Sequence, residues 1–312
     1  MRSSGQGPLR LQPLTRSRVE SLGPAGAAWA AGLPEQVATL AQRWSLTIGR
    51  PLPGGSSSYV VGARTADGRD AVLKLVLPGP GLEDQVATLR TAAGRGYALL
   101  LAHDQDSRAL LLEALGPSLE QSHQPVDVQL RLLAETLAVA WQPAAEHPAA
   151  PADKAGGLYD LVSRLWVELG RPCPEAVIDQ ALLYADRRRT VEPSELVVVH
   201  GDPHPGNLLR STAPRPGAET GYCFVDPDGF VADRAYDLGV VVRDWTGQLS
   251  GSGARARLEG YCKLLAEHSG VDATRIWEWG FLERVSTGLY AMSFGAHRTG
   301  APFLRTAASL LA

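Results

Sequence analysis

The amino-acid sequence predicts an α+β protein in two parts: a small five-stranded, mostly antiparallel sheet carrying one helix, followed by a mainly helical part. Three observations carry this expectation. Short strand-like segments separated by Gly, Pro and Asp turns fill residues 46–115. From Pro117 onward the apolar residues change to helical spacing over longer stretches. Two short apolar runs then interrupt the helices, and each leads into a carboxylate.

The elements follow in chain order. Residues 1–25 contain Ser, Pro and Gly with Arg2, Arg10, Arg16 and Arg18, and lack the apolar core of a secretory signal. A loosely ordered extension is expected there. Leu33–Trp44 is helical in pattern, with Val37, Leu40, Ala41 and Trp44 on one face. Leu46–Leu52 alternates as a strand, Pro53–Ser58 (PGGSSS) is a turn, and Tyr59–Arg64 is the second strand. Asp67-Gly68 is a hairpin signal leading into Ala71–Leu77 (AVLKLVL), the third strand, with Lys74 in its middle. Glu83–Ala92 reads as a short helix, and Tyr97–His103 and Arg108–Leu115 as two more strands. Helices are expected over 126–141, 158–169, 175–188, 236–249, 254–268 and 273–292. An Ala/Pro linker lies at 143–157 and a Pro/Gly loop at 211–221. The expected boundaries are an extension over 1–25, a first part over 26–115 and a second over 116–312.

The chemistry concentrates at His200–Asn207 (HGDPHPGN). This stretch follows the apolar run Leu196–Val199, and a second run, Tyr222–Val225, delivers Asp226. Asp202 and Asn207 have the D-x-x-x-x-N spacing of a phosphoryl-transfer catalytic loop. Such chemistry asks for one carboxylate to accept the proton of an attacking hydroxyl, and Asp202 suits that role. Mg²⁺ prefers oxygen ligands and is held by one or two side chains plus substrate phosphates, roles open to Asn207 and Asp226. His200 is placed to tie the loop to the Asp226 segment through its ring, and Asp237 to brace the loop or to cap a helix. Two other readings stand beside this one: an ordinary polar loop of turn formers, and a zinc site using His200, His204 and Cys223.

Other residues fit a nucleotide site. Gly54 and Gly55 let backbone N–H groups approach phosphates, and Ser56 and Ser57 add hydroxyls. Lys74, on an apolar strand in a chain with three lysines, suits the α- and β-phosphates of ATP. A carboxylate on the next helix should orient it, and Glu83 is the first candidate. Glu113 to Leu115 end the last strand, where backbone groups can meet the adenine.

Composition excludes some classes and favours others. The net charge of -3 gives no electrostatic case for nucleic-acid binding and suits a cationic small-molecule acceptor. No run of about 18 apolar residues is present, so no membrane span is expected. The three cysteines lack CxxC spacing and read as reduced thiols, which fits a cytoplasmic chain that is a monomer or a dimer.

HGDPHPGN followed by FVDPDGFVADRAYDLG resembles the aminoglycoside phosphotransferase superfamily. AWAAGLPEQVATLAQRW, GGSSSYVV, DGRDAVLKLVLP, ATLRTAAGRG and RALLLEAL resemble its streptomycin 6-phosphotransferase and hydroxyurea kinase branch. The resemblance implies a bilobal protein-kinase-like fold and transfer of phosphate from ATP, with Mg²⁺, to a hydroxyl of a small molecule. Streptomycin is the preferred acceptor, and hydroxyurea or another metabolite the alternative. It implies Asp202 as base, Asn207 and Asp226 as metal ligands and Lys74 on the phosphates. Relatives often carry Glu near the position of Gln85, a departure that leaves the partner of Lys74 open and keeps a nucleotide-binding pseudokinase as a further alternative. The short segment before DRAYDLG has no activation loop, which ranks a protein kinase last.

Overall fold

A computed structural model describes residues 11–53, 55, 57–146, 151–249 and 251–311. Two compact units emerge, Met1–Gly94 with Ala98–Leu115, and Arg95–Tyr97 with Gly116–Ala312. The first is built around one sheet and the second around two small ones.

In the first unit, β1 (Thr47–Pro51), β2 (Ser58–Arg64), β3 (Asp70–Val76), β4 (Leu100–Asp104) and β5 (Ala109–Glu113) form an antiparallel sheet of order β1-β2-β3-β5-β4. The alternation of β3 sorts its side chains by parity. Leu73 and Leu75 join Tyr59, Val61, Ala109 and Leu111 in a buried cluster that Trp29, Leu33, Val37 and Leu40 of a long helix complete. Lys74 has the opposite parity and faces helix α3 (Leu82–Ala92), which enters through Gly81 at φ +94° and stops at Ala93.

Residues 11–25 depart from the loosely ordered extension expected over 1–25; residues 1–10 lie outside the described residues. Pro13–Ser21 is helix α1 and Gly23–Arg43 is helix α2. Pro at the first turn suits both, because its missing N–H has no intrahelical acceptor to lose. Val19 of α1 reaches the buried cluster beside α2. Gly26 of α2 lies so close to the Val19 carbonyl that a Cβ there would collide with it. Among the described residues the unit therefore holds three helices, where one within the sheet and one ahead of it were expected.

In the second unit, α4 (Val126–Ala140), α5 (Lys154–Glu168), α6 (Glu175–Arg188), α7 (Arg234–Arg243), α8 (Ala254–Ser269), α9 (Ala273–Ser293) and α10 (His297–Ser309) surround two small sheets. One has the order β10-β7-β6, from β10 (Phe230–Asp233), β7 (Leu196–Val199) and β6 (Gln142–Pro143); the other pairs β8 (Leu208–Arg210) with β9 (Tyr222–Phe224). Helix α9 runs through the core, burying Ile276, Trp279, Phe281, Leu282, Val285 and Leu289. Helix α7 packs on it where Gly239 meets the Trp279 backbone without room for a Cβ. Helix α10 was not among the helices expected from the sequence. Gly300 is buried against the Gly288 carbonyl, which leaves no room for a larger residue. Among the described residues no helix is long and apolar enough to cross a membrane.

Candidate active site

The β-branched run Val197-Val198-Val199 forms β7 between β10 and β6, and the chain leaves it at His200. His200 is fully buried between Tyr97, stacked at 5.9 Å, and Phe224 at 4.8 Å. Its Nε2 lies 2.9 Å from the Val225 carbonyl, which can only accept, so Nε2 carries the hydrogen. Nδ1 is then free to accept the Asp202 N–H at 3.2 Å. Burial pushes the imidazole pKa down to about 4, so the ring stays neutral. The expected tie between the loop and the Asp226 segment is therefore present, through Val225.

Asp237 braces the same loop. One carboxylate oxygen accepts the His200 N–H at 2.8 Å and the Trp141 Nε1–H at 2.9 Å; the other accepts the Gly201 N–H at 2.9 Å. Asp233, not Asp237, caps α7, accepting from the Ala235 N–H. Asp237 is fully buried, and burial raises its carboxyl to about 6 against the lowering effect of these donors. Gly201 sits at φ +94°, with Asp228 so near that a Cβ would come within 2.6 Å of the Asp228 Cβ. Only glycine fits both demands.

Asp202 follows directly, with its side chain 43% exposed. Its Oδ1 accepts from an Arg243 Nη2–H at 3.0 Å, and His204 Nε2 lies 3.7 Å from Oδ2. Desolvation by the surrounding protein raises its pKa, but the Arg243 guanidinium outweighs it and leaves the carboxyl below its usual range. The Asn207 Nδ2–H donates to the Asp202 carbonyl at 3.0 Å, leaving the amide oxygen Oδ1 as the free acceptor of that side chain. The Val225 N–H donates to the Asn207 carbonyl at 2.9 Å, and the Asp228 N–H to the His200 carbonyl at 2.7 Å. The loop and the segment after β9 are thus laced together, and Asp226 sits between those two bonds. Its φ of +59° is left-handed, a conformation Asp tolerates better than most residues and one often found at functional positions. Asp228 reaches solvent, yet desolvation and then the Asp202 charge raise its pKa.

Arg243 had no local sequence signal beyond a cation at the end of the apolar run LGVVV. It ends α7, contacts Asp244 at 2.9 Å and Asp202 at 3.0 Å, and lies 3.6 Å from the buried Glu283. These three carboxylates keep it charged. Glu278, on the same helix as Glu283, is likewise buried, against Arg187 and Arg188 at 3.0 and 2.9 Å.

The nucleotide candidates belong to the first unit. Lys74 is buried, with its Nζ 3.4 Å from Gln85 Oε1. Glu83, the expected partner, instead accepts from the Gln105 side chain at 3.0 Å. The reason is helical geometry: residues two apart point to nearly opposite faces, so the face of α3 that brings Gln85 to the strand turns Glu83 away. Glu113 ends β5 and its carboxylate accepts the Leu99 N–H at 3.0 Å; Leu115 is half-buried just beyond. Gly55 and Ser57 are exposed in the β1–β2 turn, whereas Gly54 and Ser56 lie outside the described residues.

The donor set in the second unit fits a hard dication that takes most of its ligands from phosphates and water, with one amide oxygen from Asn207 and one carboxylate from Asp226. It does not fit zinc. Both His200 nitrogens are engaged, His204 Nδ1 accepts the Gly206 N–H at 3.1 Å, and no group of three His, Cys, Asp or Glu among the described residues could hold a metal.

A small antiparallel five-stranded sheet, a mainly helical remainder and a D-x-x-x-x-N loop laced to a second carboxylate define a kinase-like phosphotransferase acting on hydroxyl groups. The chain belongs to the aminoglycoside/hydroxyurea antibiotic resistance kinase family, whose pattern matches residues 43–295. It is 29% identical over 292 residues to a streptomycin 6-kinase of Streptomyces glaucescens, covering 91% of each chain. A choline kinase of Cryptosporidium parvum shares the fold, with a TM-score of 0.59 at 7% identity over 89% of this chain and 94% of that one. So does an aminoglycoside phosphotransferase of Streptomyces rimosus, solved with ADP and streptomycin, with a TM-score of 0.51 at 16% identity over 82% of this chain and 98% of that one.

Proposed function

We propose that this kinase transfers the γ-phosphoryl group of ATP to a hydroxyl of streptomycin, in a Mg²⁺-dependent reaction that inactivates the drug. The observation carrying the reading is the half-exposed Asp202, kept ionised by Arg243 and set beside Asn207 and Asp226. Asp202 orients the acceptor hydroxyl and takes its proton. Arg243 fixes which carboxylate lobe faces the acceptor, since one oxygen is committed to the guanidinium. Asn207 and Asp226 hold Mg²⁺, which when bound neutralises charge on the transferring phosphate. In the first unit, Lys74 and the β1–β2 turn are the groups for the nucleotide phosphates.

The acceptor assignment rests on the streptomycin 6-kinase relative and on local charge. Asp202, Asp228 and Asp244 all reach solvent in the second unit, where they favour a cationic acceptor over a neutral one. The test is ADP release with Mg²⁺-ATP over a panel of streptomycin, other aminoglycosides, hydroxyurea and hydroxylated metabolites, with product mass recorded and Asp202→Ala alongside. One added phosphate on streptomycin, lost in the variant, is the expected result. Turnover on hydroxyurea alone would keep the kinase and reject the acceptor. Nucleotide binding without turnover on any member would reject the catalytic reading.

A further inference from the structure

Helix α1 puts one hydroxyl on the β1–β2 turn. Thr15 is 1% exposed, and its Oγ1–H donates to the Gly55 carbonyl at 3.0 Å, with the Ser58 carbonyl at 3.4 Å. These partners stand 40 and 43 residues away in sequence, so nothing local to α1 requires the bond. The helix itself is held firmly: Val19 lies in the buried cluster and the Gly26 contact locks α1 against α2. The far side of the turn is anchored to the sheet by the Leu77 N–H on the Ser57 carbonyl at 2.9 Å and the Leu52 N–H on the Val60 carbonyl at 3.0 Å. A small cavity beside these groups is lined by Gln12, Thr15, Leu52, Ser58 and Tyr59.

The geometry points to Thr15 as a positioning residue for nucleotide phosphates, acting through the turn rather than by contact. This rests on the nucleotide role proposed above for the β1–β2 turn. A glycine-rich turn binds phosphate through N–H groups and repels it through carbonyl oxygens. A carbonyl occupied by Thr15 cannot swing onto a phosphate, and a turn tied on both sides has less freedom to lose when ATP binds. Helix α1 lies ahead of residues 43–295, the region that the family pattern matches.

Thr15→Val keeps the shape and removes the donor, whereas Thr15→Ser keeps the donor. The readouts are ATP affinity by titration, KM for ATP and for the acceptor separately, and the melting temperature. Loss of one such hydrogen bond is expected to raise KM and Kd for ATP about three- to tenfold in Thr15→Val. KM for the acceptor should stay unchanged, and Thr15→Ser should restore the wild-type values. ATP affinity within about twofold of wild type in Thr15→Val, a spread set by ordinary surface substitutions, would overturn the proposal while leaving the nucleotide site intact. Equal loss in both variants, tracking the melting temperature, would overturn it in favour of a purely structural helix. Wild-type protein that binds no ATP would overturn the nucleotide reading of the turn, and the proposal with it.

Discussion

Replacing Asp237 by Asn separates what the catalytic loop needs from what the fold needs. Asp237 is fully buried and accepts three N–H groups, two on one oxygen and one on the other. In Asp237→Asn the amide oxygen can serve His200 and Trp141, but the amide nitrogen then faces the Gly201 N–H, donor against donor. The unsatisfied buried donor costs about 1–3 kcal/mol. Against this, burial raises the carboxyl from 3.8 to about 6, so keeping it ionised at neutral pH costs about 3 kcal/mol that Asn does not incur. The two nearly offset, and the variant should lie within about 2 kcal/mol of wild type by urea denaturation. Activity has no such offset. The Gly201 amide must move, Asp202 is its neighbour, and displacement of about an ångström at a reacting group costs on the order of 100-fold in kcat. The pH dependence follows from the sign of the shift. The folded carboxyl holds its proton more tightly than the unfolded one, so between about pH 4 and 6 the contribution of Asp237 to stability falls as pH rises, while buried His200 contributes in the opposite sense over the same window. The Asp237 contribution should vanish in Asp237→Asn, leaving a stability that rises more steeply with pH than in the wild type. Wild-type kcat in the variant, measured by ADP release, would refute the bracing argument; a stability loss above about 5 kcal/mol would refute the estimate of the buried charge.

Arg243→Met removes the cation that holds the Asp202 carboxyl down. The base then stays protonated to higher pH, and the acid limb of kcat/KM moves upward; an unmoved limb would show that Asp202 is not the titrating base. Gly201→Ala places a Cβ 2.6 Å from that of Asp228 at a positive φ. It should lower stability by about 1–3 kcal/mol and depress kcat beyond what the unfolded fraction explains, read by denaturation and activity on the same sample. Asp226→Asn weakens the proposed metal site and should raise the Mg²⁺ needed for half-maximal rate about tenfold or more in a magnesium titration of ADP release. An unchanged titration would remove Asp226 from the metal.

Local groupings were visible in the sequence, and pairings across the chain were not. HGDPHPGN and the Asp226 segment each compress their residues into a short turn after a strand, so spacing alone marks them. Helices α6 and α8 show their apolar periodicity against clear boundaries, Pro174 and Gly253, and were placed to within a residue. The short, polar α1 shows little periodicity; its order comes from Val19 in the α2 cluster and Thr15 on a turn 40 residues later. Arg243 reaches Asp202 across 41 residues, because α7 ends where the loop after β7 begins to turn. Glu83 shows the converse. A carboxylate of the right charge and near the right place in sequence was chosen over Gln85, but the phase of α3 decides which side chain meets Lys74, and phase selects the amide. With a neutral oxygen there, Lys74 gains less from α3 than an ion pair would give.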